Sequence, residues 1–483
     1  MPEHEIEEIT AEKIYKLFQR SSDVKMERYE LGEGEQAQTV HLIYCEGIAN
    51  SMVINRYLLE RLECLLPETE YGKELDKKLE VGRIQQTKDV INGVFGGQIV
   101  IFFENHGAMY TLDVSDPPKR TTQDSISEVS VKGPRDAFIE ELVTNVALVR
   151  KRLRTNSLCY EQYNIGKRSH TKVGLLYIED IIKPELVDEA RTRLKKIDID
   201  VLIGSSQLEE MLVDEPYSLF PLLSSTTRPD FVVDCLVRGR FAVLVEGAPN
   251  AVIGPTNLTH MIRSVEDSYL PYYIASFKLL FRFIGIVISL FLPGFWVAAA
   301  SYNFEQIPYT LLATIALSRI GLPMPAPLEA FLMIGMFELF REAGERLPKA
   351  VGQTVAVVGG IVVGDAAIKA GLASTTLVVV AAITAVASFT LINQSFVGSV
   401  SVVRIFVLIC SSLLGMYGFV IAVISVVLYL SRLESFGVPY LAPLSPIEWK
   451  DIPSTFIRKP WFQKIKRPEI LQTTDDDRQK RRK

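Results

Sequence analysis

The 483-residue sequence predicts an α+β cytoplasmic N-terminal region of two similar α/β subdomains, followed by an all-α polytopic transmembrane domain. Two observations predict this fold. Long apolar stretches crowd the segment from Phe283 to Leu430, and the first half of the chain carries an internal repeat. The stretches lie near 283–300, 351–370, 372–391 and 403–430. Each is about the length of helix needed to cross the ~30 Å hydrocarbon core of a bilayer. The first and third carry no ionisable side chain, the fourth only Arg404, and the second is interrupted by Asp365 and Lys369. A soluble protein can bury one such helix but hardly four, so the chain is expected to be an integral membrane protein.

The soluble part begins as a first α/β subdomain over 1–120. The run Val40, Leu42, Tyr44, Glu46 and Ile48 returns as Val173, Leu175, Tyr177, Glu179 and Ile181. Each copy reads as a buried strand, a turn and a helix, with the helices expected over Met52–Leu65 and Pro184–Lys196. Pro184 suits a first helical turn. Each half then has a glycine-centred stretch resembling a hairpin, with Gly96-Gly97 and Arg238-Gly239 at the turns and β-rich apolar runs after them. A linker and amphipathic helix occupy 121–160. The helix is expected from Gly133-Pro134 to about Arg154, with Phe138, Leu142, Val146, Val149 and Leu153 on one stripe. Arg150, Lys151, Arg152 and Arg154 gather at its C-terminal end. There they complement the helix dipole, or meet anionic headgroups or a partner. The second α/β subdomain fills 161–257.

The transmembrane domain is expected over 258–434. Between its first two spans, residues 324–341 are apolar but short, bracketed by prolines and interrupted by Glu329 and Glu338. An ionised side chain at bilayer depth costs ~2.5–3.5 kcal/mol or more, so a re-entrant or interfacial segment is expected. Its acids either face a water-filled pathway or pair with Arg341 or Arg346. In the second span Ala356, Gly360 and Gly364 place small residues on one face, which lets helix backbones approach in lipid. Asp365 follows, and an intramembrane acid points to a pathway or a buried partner such as Lys369. Asp365, Glu338 and Glu329 are therefore the ion-pathway candidates. Basic residues flank both the start and the end of this region, so positive-inside places both termini in the cytoplasm with an even number of crossings. The basic and aromatic tail, 435–483, includes Phe456, Trp461 and Phe462 and suits an interfacial anchor.

Other classes find no support. A net charge of −5 gives no nucleic-acid footprint. The five cysteines and five histidines show no metal-ligand spacing, so neither metal nor cofactor is expected. The acidic N-terminus does not read as a signal peptide. No phosphate-binding loop, dinucleotide fingerprint, nucleophile elbow or zinc-protease motif occurs, and the chain does not read as an enzyme.

Several motifs in order resemble the A subunits of the GerA-type nutrient germinant receptors of endospore-forming bacteria. They include Val131–Phe138 with Thr144–Arg150, Arg228-Pro229-Asp230, and Gly239–Gly247. Further on come Phe337–Gly344 with Arg346-Leu347-Pro348, Val351-Gly352-Gln353 with Gly359-Gly360, and Ser435–Leu441 with Pro443. The resemblance covers about 133–467. It implies a cytoplasmic two-subdomain front and membrane helices in the spore inner membrane. It also implies partnership with a transporter-like, nutrient-binding B subunit and a lipoprotein C subunit, and a homo-oligomeric ring forming an ion channel. Ile334, Ile392 and Leu222 stand where the family pattern has an acid, a proline and a glutamine. The related stage V sporulation AF protein shares most of these motifs, so an accessory channel subunit is an alternative. Two others are a secondary transporter, disfavoured without an inverted membrane repeat, and a non-conducting scaffold.

Overall fold

A computed structural model describes residues 11–31, 38–54, 82–84, 86–104, 108–117, 133–346 and 362–479. Two compact units emerge. One comprises Met1–Pro216, Leu223–Pro255 and Trp461–Lys483, the other Tyr217–Leu222 and Thr256–Pro460.

The first unit contains two five-stranded antiparallel sheets with the same strand order. Strands β1 (Val24–Leu31), β2 (Gln38–Cys45), β3 (Gly82–Ile84), β4 (Gln98–Phe103) and β5 (Ala108–Asp113) are arranged β1-β2-β4-β5-β3. Strands β6 (Leu158–Ile165), β7 (Thr171–Ile178), β8 (Ser224–Thr226), β9 (Phe241–Val245) and β10 (Ala251–Gly254) are arranged β6-β7-β9-β10-β8. The sequence repeat falls on β2 and β7, interior strands of their sheets. Val40 and Leu42 in one, and Val173 and Leu175 in the other, are fully buried. The equivalence reaches side chains the repeat did not include. Tyr29 and Tyr44 both donate to Glu27, at 2.5 and 3.1 Å, while Tyr163 and Tyr177 both donate to Glu161 at 2.7 Å. In the second copy Arg191, from the Pro184–Lys196 helix, also clasps Glu161.

Two sequence expectations shift here. Gly97 and Gly239 do not turn hairpins. Each ends a helix, Thr87–Gly96 or Pro229–Val237, in the left-handed region (φ 94° and 91°) and feeds it into β4 or β9. A glycine at a helix C-terminus and one in a hairpin share the same φ requirement, so sequence alone does not separate them. The hairpins are the strand pairs that follow, β4–β5 and β9–β10. The helix expected over 133–154 is shorter, Leu142–Arg150. The Phe138 N–H donates to the Thr227 carbonyl, and the Asn145 side chain holds both backbone groups of Ile139. Glu246 accepts from the Leu142 N–H, which fixes where the helix starts. Residues before Leu142 thus spend their hydrogen bonds elsewhere. Most of the helix expected over Met52–Leu65 lies outside the described residues.

The end of the chain returns to this unit. The Thr474 N–H donates to the Ile181 carbonyl, Arg467 to the Val237 carbonyl, and Arg478 pairs with Asp234 at 3.2 Å. Burial opposes the Asp234 charge, but Arg238, Arg478 and Lys464 hold its carboxyl well below the ordinary range. Trp461 stacks with Lys464 and Arg478 in this segment.

The second unit is helical. Its helices are Tyr272–Ser301, Tyr309–Ser318, Ala326–Arg346, residues 362–369, Thr375–Phe389 and the run Gln394–Arg432. Tyr272–Ser301 and Gln394–Arg432 are long and apolar enough to cross a membrane. The latter is not one rod, although 403–430 reads as one span. Gly415 (φ 62°, ψ −139°) breaks it. A straight helix would separate Phe396 from Tyr429 by about 50 Å. Yet the Phe220 ring lies 5.9 Å from the first and 6.3 Å from the second. The run folds back on itself at Gly415. Its tip rests on the end of the first long helix, where the Tyr302 hydroxyl donates to the Ser412 carbonyl. Beyond the tip, Phe419 packs on Phe295 and Phe291.

The segment 324–341, expected to be re-entrant or interfacial, falls almost wholly on a 21-residue helix, Ala326–Arg346. Ala330 and Met333 join Trp296, Val297, Ala381 and Leu408 in one core. Chain entry and exit meet at one end of the unit: the Leu258 N–H donates to the Tyr440 carbonyl and Asn257 to the Ala442 carbonyl.

Candidate functional site

The helical unit carries the acids singled out from sequence. Glu329, in the first turn of the Ala326–Arg346 helix, is fully buried. Its carboxylate accepts from the Ser374 N–H at 3.1 Å and lies 3.6 Å from Arg319. Ser374 is the N-cap residue of Thr375–Phe389. A carboxylate there meets the positive end of a helix dipole, so Glu329 fastens one helix onto the start of another. Glu338 sits about two and a half turns further on. It bridges Arg341 at 2.6 Å and Arg404 at 2.9 Å, and Arg404 also donates to Ser401. Arg404 is almost fully buried, so this pair crosses between the Ala326–Arg346 helix and the first half of the hairpin. The sequence offered Arg341 or Arg346 as partners and did not find Arg404, which lies 66 residues away.

Asp365 differs from both. It pairs with Lys369 at 2.7 Å one turn on, and both side chains stay open, at 59% and 74% exposed. The exposed residues beside it on the chain are apolar: Val362, Ala366, Ala370 and Leu372. Gly364 lies on the same short helix, where an added Cβ would just touch Val378. The other two packing candidates, Ala356 and Gly360, lie outside the described residues.

The soluble unit has a second candidate feature. A cleft of about 720 Å³ opens between its subdomains, with Lys16, Gln19 and Arg20 on one wall and Asn156, Glu179 and Asp180 on the other. Arg20 and Glu179 pair across it. Below it, the subdomains are joined by backbone: the Ser22 N–H donates to the Tyr160 carbonyl and the Tyr160 N–H to the Arg20 carbonyl. Cys159 lines this cleft, but burial pushes its thiol up, away from the reactive thiolate. Among the described residues no cluster of His, Cys, Asp and Glu could hold a metal ion.

A duplicated antiparallel α/β unit joined to a helical bundle with two membrane-length helices defines a membrane-associated protein with a large α/β module. The chain belongs to the GerA family, matching the Bacillus/Clostridium GerA spore germination protein over residues 12–470. It is 41% identical to spore germination protein XA of Bacillus anthracis, over 96% of each chain. It is 34% identical to spore germination protein KA of Bacillus subtilis, over 95% of this chain and 85% of that one. The N-terminal domain of the A subunit of the Bacillus megaterium spore germinant receptor GerK3 matches at 27% identity. That match has a TM-score of 0.39 and covers 50% of this chain and 92% of that one. A role as a germinant-receptor A subunit follows from this family.

Proposed function

We propose that the chain is the channel-forming A subunit of a nutrient germinant receptor in the spore inner membrane. In this reading it assembles with a transporter-like B subunit and a lipoprotein C subunit, and several copies surround an ion pathway. Both termini then lie on the cytoplasmic side. The observation that supports the pathway is the open pair Asp365 and Lys369 on an otherwise apolar surface of one copy. Charge facing lipid is costly, whereas charge facing water and passing cations is not. A ring of copies with this face inward would remove the cost. Glu329 and Glu338, held by partners inside one copy, would then shape the pathway's wall rather than line it.

The test is Asp365→Asn with cation release measured in germinating spores and receptor abundance measured in parallel. Reduced flux at normal abundance supports the pathway. Normal flux at normal abundance removes Asp365 from it. The internal pairing of Glu329 and Glu338 favours a second reading, a non-conducting scaffold, and reconstituted protein that passes no current would select it.

A further inference from the structure

Resting on the membrane reading above, we infer that residues 443–459 form a collar that seats in the headgroup layer of the bilayer. The segment lies across one end of the helical unit. Arg458 fixes it there by donating to the carbonyls of Asp267, Ser268 and Leu270. Its backbone N–H donates to the Ser276 hydroxyl in the second turn of Tyr272–Ser301. Phe456 packs edge-on against Phe283 at 5.0 Å. Just before the segment, the Tyr440 N–H donates to the carbonyl of Leu433, the residue that closes the last helix.

The collar turns apolar side chains outward. Trp449 is 77% exposed, Ile447 60% and Ile457 58%. The bond from Arg458 to Ser276 sets Ile457 at the level of Tyr272, Tyr273 and Phe277, all exposed on the adjoining helix. Tyrosine at a helix end followed by Phe277, Leu280 and Phe281 is the order expected on passing from headgroups into hydrocarbon. Lys278, Lys450 and Lys459 are exposed in the same zone, which matches anionic headgroups. Trp and Ile exposed in water lose the benefit of burial, while tryptophan's amphipathic ring favours the interface. The partner this surface fits is therefore an anionic lipid leaflet. The anchor expected from Phe456, Trp461 and Phe462 is differently composed. Phe456 packs inward on Phe283, and Trp461 and Phe462 belong to the other unit.

The experiment reconstitutes the full chain and its Trp449→Phe variant into phosphatidylcholine vesicles with and without phosphatidylglycerol. The difference between the two emission spectra isolates Trp449 without altering Trp296 or Trp461. The expected difference spectrum is blue-shifted and quenched more by lipid brominated near the headgroup than near the chain terminus. It is also protected from aqueous iodide, with stronger lipid quenching when phosphatidylglycerol is present. Emission that iodide quenches freely and brominated lipid does not would overturn the collar. So would emission protected from both, which would mean a protein surface covers Trp449. Retention of the chain in the vesicles through alkaline extraction reports membrane spanning separately, so failure of the collar and failure of the membrane reading are distinct results.

Discussion

Arg150 and Asp23 form a bidentate ion pair in the interior of the soluble unit, at 2.7 and 3.0 Å. Arg150 is 0% exposed and comes from the helix between the subdomains, while Asp23 precedes β1 of the first subdomain. The guanidinium also donates to Ser21 and to the Thr155 carbonyl, and it stacks over Phe95 at 4.3 Å. One side chain thus ties the joining helix to the first subdomain. The basic cluster read as a helix end is divided: Arg150 is buried in this lock, whereas Arg152 pairs with Asp136 and bonds the Leu148 carbonyl.

Removing one member should leave the other charge buried and unpaired. Arg150→Met or Asp23→Asn should therefore destabilise the soluble unit by about 3–5 kcal/mol. Replacing both together, Arg150→Met with Asp23→Leu, should cost much less. Urea unfolding of the detergent-solubilised chain, followed by limited proteolysis between the subdomains, measures both. Equal losses for the single and double variants would show that the pair is not a coupled lock.

Glu209 gives a pH-dependent outcome. Burial, aided by the Glu210 charge, pushes the Glu209 carboxyl up to about 7. Below its ordinary range the carboxyl is protonated in both folded and unfolded chains. As pH rises toward 7 the unfolded chain ionises first, so stability falls, and above about 7 the deficit is constant. Glu209→Gln should match the parent near about pH 4 and exceed it by about 1–3 kcal/mol near about pH 8. Denaturant midpoints across that range test it, and a gap of the same size at both ends would argue against a buried titrating group.

The turn at Gly415 predicts a stricter requirement than packing alone. An added Cβ there would meet Tyr302 at 2.8 Å, and the backbone angles suit glycine. Gly415→Val should cost about 1–3 kcal/mol in backbone strain and separate the hairpin tip from Tyr302. Receptor abundance in spores should fall. Tyr302→Ala should not rescue it, since the strain is in the backbone, and full rescue would place the whole effect in the side-chain clash.

The soluble fold was more legible than the helical one, for physical reasons. The strands within Val40–Ile48 and Val173–Ile181 are buried on both faces, so duplication under the same burial demand left matching side chains on β2 and β7 and revealed the repeat. No such demand separates Gly415 from a packing glycine, because lipid and a helix neighbour both accept the same apolar surroundings. The run 403–430 therefore concealed its turn. The acids at 329 and 338 were visible, but their partners Arg319 and Arg404 were not, since nothing local links an acid to a base brought to it by tertiary packing. Asp365 with Lys369 and Glu338 with Arg341, each about one helical turn apart, were the pairs that spacing alone could suggest.

Glu338 and Arg404 separate a structural from a conducting role within the helical unit. The pair joins the Ala326–Arg346 helix to the hairpin's first half, and Arg341 shares the same carboxylate. Glu338→Gln should leave Arg404 buried without its counter-charge and cost about 3–5 kcal/mol, so receptor abundance should drop sharply. Arg404→Gln should do the same. Combining the two substitutions leaves two amides that can bond each other, and abundance should recover well beyond either single variant. If Glu338 only fastens helices, cation release by the double variant should recover in proportion to its abundance. If the carboxylate instead contributes to ion passage, abundance should recover while release stays low, because an amide cannot replace a fixed negative charge beside a cation path. Quantitative blotting of spore membranes together with cation release on nutrient addition distinguishes the two. An abundance loss in the double variant equal to that of the single variants would show that the ion pair is not what joins these helices.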